Sequence, residues 1–260
     1  MSLTREQILD ALDSRLFLSA PYPETVSVPI DVEGVLGQKS AMSAHAESNF
    51  VGFARLTETN VDATIKAVQE AFGDHDFIWV VSDRSTPQSL ADKLLEAGFL
   101  PIFDLVGMVL TDLQHSIILN PKITVRIAQA SDKEVVNYLY REAYPLPDAE
   151  AEARYQQQLA LNGRDYLAYL EGVDQPIAVA SMYYDDRVPV VTLQGAATLP
   201  DYRGQGTYTA LVAKRLNDAR ADGIQVAVTQ AMADTSAPIV AKLGFQKWMD
   251  MAGYASPSET

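Results

Sequence analysis

The chain has 260 residues, 48% apolar and 21% charged, enough apolar material for one or two packed domains and too much for a disordered chain. A net charge of −14 argues against a nucleic-acid partner, whose phosphates require clustered Lys and Arg, and zero cysteines exclude disulfides and thiolate chemistry. No apolar run approaches the roughly 18 residues of a membrane span. Residues 1–18 are charged and amphipathic, unlike a leader, so a cytoplasmic protein without membrane attachment is expected.

From the beginning of the chain, Ile8, Leu9, Leu12 and Leu16 fall at helical spacing over 4–18, with Thr4 as N-cap. Residues 49–56 read as a strand, 60–72 as a helix and 77–81 as a short buried strand. Ser85-Thr86-Pro87 opens a helix to Ala97, Gly98 ends it, and 99–113 read as one or two strands. After Asn120-Pro121, residues 123–128 form a strand. Ser131 and Glu134 have the spacing of a capping box that opens a helix to about Tyr144. Pro145 and Pro147 interrupt the pattern before a second helix at 148–161. Strands follow at 166–170, 176–184 and 188–199. A helix begins at Thr207 and stops at Gly223. A strand at 225–230, a short helix at 235–243 and a closing strand at 246–254 complete the chain.

The two halves repeat one another. Gly98-Phe99 recurs 146 residues later as Gly244-Phe245, and Asp104-Leu-Val-Gly-Met108 recurs at the same offset as Asp250-Met-Ala-Gly-Tyr254. Two copies of one α/β unit are expected, divided as 1–120 and 121–260.

The chemistry concentrates between Val190 and Leu216. A β-branched strand ends at Pro200, and Asp201-Tyr-Arg-Gly-Gln-Gly206 forms a loop with two glycines. From Thr207 the apolar positions Ala210, Leu211, Val212, Leu216 and Ala219 lie on one helical face. Strand, glycine loop and helix aim unpaired backbone N–H groups at an anion, and Arg203 adds a cationic donor fork. Gly206 is followed by Thr207-Tyr208, not by the Lys of a P-loop, and Thr209 stands where a Rossmann fingerprint needs its third glycine.

What remains, Arg203-x-x-Gly206-x-Tyr208 between a strand and a helix, resembles the R/Q-x-x-G-x-G/A motif of the GNAT superfamily of acyl-CoA-dependent N-acyltransferases. The element order over 122–254 is similar to that of a GNAT domain. The resemblance implies an α+β fold in two tandem copies, each with a mixed, mostly antiparallel sheet flanked by helices. The first half has Thr57-Glu-Thr-Asn60-Val-Asp62 where a cradle would stand. Its two carboxylates would repel phosphate, so this copy is read as degenerate.

By that resemblance acetyl-CoA is the cosubstrate. Backbone at Ala196, Ala197 and Thr198 would hold its pantetheine arm, and Arg203, Gly204, Gln205, Gly206, Thr207 and Tyr208 its pyrophosphate. The final motif position is Tyr208 where the family has Gly or Ala. Val240 stands where many members carry the tyrosine that protonates the leaving thiolate. Tyr208, Tyr183 and Gln194 are therefore the catalytic candidates, with Tyr184, Asp185 and Asp186 as further proton relays. His45, His75 and His115 lack metal-ligand spacing, and no metal is expected. Transfer of an acetyl group to a primary amine of a small molecule or peptide is the first reading. The alternatives are a CoA-binding module with weak turnover and a structural scaffold. The first half is left to packing, to walling a substrate channel or to homodimer formation.

Overall fold

The computed structural model describes residues 3–14, 22–114, 117–143, 148–185 and 187–257. Chain order gives α1 (Arg5–Asp13), β1 (Ser27–Pro29), β2 (Leu36–Ser40), β3 (Phe50–Gly52), α2 (Val61–Phe72), β4 (Ile78–Ser82), α3 (Leu90–Glu96) and β5 (Leu100–Leu110). The second half supplies β6 (Ile123–Ile127), α4 (Lys133–Ala143), α5 (Asp148–Ala160), β7 (Arg164–Leu170), β8 (Ala178–Tyr184) and β9 (Val190–Thr198). It ends with α6 (Thr207–Ala221), β10 (Val226–Met232), α7 (Ser236–Lys242) and β11 (Gln246–Ala255).

The strands form one sheet in the order β1-β2-β3-β4-β11-β5-β10-β9-β8-β7-β6. The last strand of each half is exchanged. β11 lies between β4 and β5, and β5 lies between β11 and β10. The repeat thus meets itself at the centre of the sheet, where Leu105 pairs with Met251, its counterpart 146 residues on. The closing strand of each half pairs only with strands of the other half.

Side-chain alternation sorts the core onto the two faces. One face carries α1, whose Ile8, Leu9 and Leu12 pack on Val190, Val226, Val228, Met249 and Met251. The same face of the second half carries α4, with Val136, Leu139 and Tyr140 against Leu167, Val179 and Ala197. On the opposite face α2 and α3 bury Ile65, Val68, Phe72, Leu90 and Leu94 against Trp79 and Phe99. There too α6 and α7 bury Leu211, Leu216 and Val240 against Tyr166, Ala227 and Phe245.

The structure corrects several boundaries. Thr4 caps α1 as expected, through a capping box with Gln7, but the helix ends at Asp13; Leu16 and Leu18 lie outside the described residues. The strand expected at 49–56 stops at Gly52, because Phe53 turns the chain at φ +54. The helix expected from Ser85 starts at Leu90. Residues 99–113 hold one strand. The Ser131–Glu134 box is not formed. Asp132 accepts the Gln129 N–H at 2.7 Å and an Arg126 Nη1 bond at 2.6 Å, so a 3-10 turn at Ala130–Asp132 precedes α4. Arg126 holds the Asp132 carboxyl down to about 2. Strands β1 and β2 have no counterpart in the sequence reading. Tyr144, Pro145 and Pro147 lie outside the described residues.

Candidate functional site

β9 and β10 run parallel, and they pair only from Val190 with Val226 to Thr192 with Val228. Beyond that point the strands part. A cleft of about 700 Å³ opens between them, with Leu193 to Thr198 on one side and Thr229, Gln230 and Met232 on the other. A bulge sharpens the departure. The register of β9 against β8 shifts between Ala197 with Val179 and Gln194 with Ser181, and Gly195 stands at φ +54. Tyr140 pins the bulge by donating its hydroxyl to the Gly195 carbonyl at 2.5 Å.

The glycine loop closes the mouth of the cleft. A 3-10 turn at Pro200–Tyr202 leads to Arg203, whose Nε donates to the Thr198 carbonyl at 3.2 Å. Gly204 and Gly206 have φ of +74 and +83, a region L-residues enter at a cost. A Cβ on Gly204 would meet nothing within 4 Å, so this corner of the loop is open to an incoming group. Gly206 caps α6 with no side-chain hydrogen bond to the first-turn N–H groups. That is an anion cradle without a built-in anion. Thr207 Oγ1 is buried there with no partner.

Of the residues expected to hold the cofactor, Ala196, Ala197, Thr198, Arg203, Gly204, Gly206, Thr207 and Tyr208 line the cleft. Gln205 does not; its carbonyl instead accepts Asn120 Nδ2 at 3.0 Å, so the connection between the halves braces the loop. Among the catalytic candidates, Gln194 and Tyr208 line the cleft. Burial raises the Tyr208 phenol, with the Arg215 charge acting against it.

Tyr183 is elsewhere. It is buried behind β9, and burial pushes its phenol up to about 12. Tyr184 donates to Asp222 at 2.6 Å, and Asp185 is paired with Arg187 at 2.6 Å. Asp186 and His115 lie outside the described residues. Val240 is fully buried in the core, so no proton donor stands at that position. Among the described residues no group of His, Cys, Asp and Glu is arranged to hold a metal.

Sequence reasoning missed Arg215 and Gln230, which also line the cleft. Arg215 is 1% exposed. The signal was present: Arg215 falls within the apolar face of α6, four residues after Leu211 and four before Ala219. Gln230 Nε2 donates to the Leu12 carbonyl at 2.9 Å, a contact with α1 that only the tertiary fold creates.

In the first half the chain is drawn back to its neighbour beyond β3. There β3 and β4 pair in parallel through Val51 and Trp79, and the chain closes again where Arg55 bridges Thr86. Leu56 N–H donates to the Thr86 carbonyl and Thr86 N–H to that of Ala54, both at 3.1 Å. Phe53, at the same φ as Gly195, marks the matching bend.

No curated protein matches the sequence. The acetyltransferase (GNAT) family model matches residues 133–245. A GCN5-related N-acetyltransferase from Kribbella flavida has a TM-score of 0.70 at 17% identity, over 91% of this chain and 91% of its own. A GNAT-family protein from Novosphingobium aromaticivorans gives 0.61 at 19%, over 95% and 99%. A tandem GNAT protein from the clavulanic acid biosynthesis pathway gives 0.63 at 11%, over 87% and 79%. The chain has the tandem GNAT fold, and residues 133–245 of its second half match the GNAT acetyltransferase family model.

Proposed function

We propose that the protein is an N-acyltransferase that moves an acyl group, in the simplest case acetyl from acetyl-CoA, to a primary amine of a small molecule or peptide. The observation that carries this reading is the parting of β9 and β10 beside an uncapped glycine loop. The loop and Arg203 would hold the pyrophosphate, and the parted edge of β9 the pantetheine arm.

In the reaction, the neutral amine attacks the thioester carbonyl. A C–N bond forms, the C–S bond breaks, and the proton lost by the amine ends on the departing thiolate. The β9 bulge supplies backbone dipoles beside the developing oxyanion. No carboxylate lines the cleft among the described residues, so the amine's proton leaves through water. Tyr208, kept protonated by its raised pKa, is suited to give a proton to the thiolate and not to act as a base.

A thermal melt with saturating acetyl-CoA tests the cradle. Ligand at about 100 times its Kd adds about 2.7 kcal/mol, a rise of roughly 5–10 °C at this size. Gly206→Trp should abolish the rise. Thiol release with an amine panel then tests transfer. Val240 and the uncharged Gln194 favour a second reading, a module that binds acyl-CoA with little turnover. A melt shift without thiol release from any amine would select it.

A further inference from the structure

Gly195 is the least supported residue of the parted strand. β9 pairs with β10 only as far as Thr192, and its register with β8 holds at Gln194 and resumes at Ala197. Gly195 therefore stands in register with neither neighbour, at φ +54, and it lines the cleft. A glycine outside a ladder has many backbone conformations open to it. Dipoles that stabilise a developing charge must be held in place before the reaction begins.

One side chain holds this residue. Tyr140 on α4 approaches from behind β9 and donates its hydroxyl to the Gly195 carbonyl. Ser181 Oγ lies 2.9 Å from the same hydroxyl, but it gives its own proton to Asp165 at 2.5 Å and accepts from Arg154 Nη1 at 3.3 Å. The Tyr140 proton is left for the carbonyl. The Arg154 guanidinium lies 3.4 Å from the centre of the Tyr140 ring, and Tyr140 is 1% exposed, so the ring has little freedom to turn. Burial raises the phenol above its ordinary value, with the Arg154 charge acting against it, and the hydroxyl stays a donor. The fit is mutual. A Cβ on Gly195 would lie 2.9 Å from the Tyr140 oxygen.

Given the acyl-transfer reading above, we propose that Tyr140 is a positioning residue for that transfer. Its hydroxyl fixes the Gly195 peptide, and with it the backbone dipoles of the β9 bulge that polarise the thioester carbonyl as the amine attacks. Tyr140 neither touches the substrate nor gives up its proton. The bonds made and broken are those of the transfer itself.

The test reads the thioester carbonyl directly, by isotope-edited infrared spectra of carbonyl-labelled acetyl-CoA bound to the full chain. In the wild type the bound carbonyl band should lie below that of free acetyl-CoA. In Tyr140→Phe, which keeps the buried ring, most of that downshift should be lost. With an amine that the wild type accepts, kcat should fall by roughly tenfold to a hundredfold, the cost of a small misplacement at a reacting centre, and acetyl-CoA affinity should hold because the cradle is untouched. Ser181→Ala is the control for plain loosening of the same polar cluster; its Tm should fall while band and kcat stay near wild type. Gly195→Ala drives a methyl group against the Tyr140 hydroxyl from the cleft wall, and should lose the downshift even if Tyr140→Phe does not fold. A wild-type band or kcat in Tyr140→Phe overturns the inference. So does a rate loss explained by weaker acetyl-CoA binding, or an equal loss in Ser181→Ala. An unshifted band in the wild type removes this inference alone. Failure of acetyl-CoA to bind, or of any amine to release thiol, removes the acyl-transfer reading with it.

Discussion

The ring of Phe103 on β5 lies over Gly253 on β11, its cross-strand partner, where a Cβ would overlap the ring. The 146-residue repeat makes the contact reciprocal. Gly107, the counterpart of Gly253, pairs with Met249, the counterpart of Phe103, and a Cβ on Gly107 would sit 3.0 Å from the Met249 Cβ. Each half thus supplies a glycine whose missing Cβ makes room for a side chain, Phe103 of the other half over Gly253 and Leu12 of α1, beside Met249, over Gly107. Gly253→Ala should destabilise by about 1–3 kcal/mol through overpacking, and Phe103→Leu in the same chain should recover part of the loss. A melt in which Gly253→Ala matches wild type would show that the ring moves aside without cost.

Among the described residues, the parallel pair β3–β4 is closed again by a bridge from Arg55 to Thr86, and the pair β9–β10 parts beside the cleft. Thr86 closes the first half with backbone bonds to Ala54 and Leu56 and donates its hydroxyl to the Leu56 carbonyl at 3.0 Å. Titration calorimetry should therefore find one CoA per chain. Two sites, or one site retained in Gly206→Trp, would place a cradle in the first half.

How much of this was legible depends on the range of the interactions. The Arg203–Tyr208 loop was readable because its turn and helix start are local, set by Gly204, Gly206 and the change of period at Thr207. The 146-residue repeat was also visible. Its meaning was not, because the exchange of β5 and β11 is decided by pairing between residues more than a hundred positions apart. Strands β1 and β2 were missed for a different reason. Their buried positions are polar: Ser27, Gln38 and Ser40 are satisfied by each other's neighbourhood, Ser27 Oγ donating to the Lys39 carbonyl at 3.0 Å and Asn49 Oδ1 accepting the Ser40 N–H at 2.7 Å. No apolar alternation marks such strands. In the site, Tyr183 and Tyr208 read alike in sequence, and only the sheet shows that β9 stands between Tyr183 and the cleft.

Asn120 offers a test of loop bracing that leaves the cleft wall untouched. Its Nδ2 holds the Gln205 carbonyl, and its Oδ1 accepts the Lys122 N–H at 3.0 Å. Asn120→Ala should loosen the cradle before binding, so the acyl-CoA KM should rise severalfold with kcat nearly unchanged. That split is the signature of lost uniform binding. A fall in kcat at constant KM would instead mean that the loop acts in the chemical step.

Glu150 on α5 joins the halves from the other side of the sheet. It is 4% exposed and accepts hydrogen bonds from Ser43 and Ser48 of the first half. Burial raises its pKa above 4.5; the Ser48 hydroxyl and His45 act against that shift, and Glu47 adds to it. A carboxyl whose folded pKa is raised binds more protons in the folded state than in the unfolded one. Its contribution to stability is fully present below about pH 4.5 and is lost as pH rises through the folded value. At pH 8 the buried negative charge works against the contact between α5 and the Ala46–Ser48 turn. Glu150→Gln keeps an acceptor for one serine, offers a donor to the other and removes the charge. Its Tm should exceed that of wild type at pH 8, and the gain should vanish near pH 4. Each kcal/mol moves a melt of a chain this size by roughly 2–4 °C, so the crossover is measurable. A variant that is less stable than wild type by the same amount at both pH values would show that the carboxylate geometry, and not its charge, governs this joint.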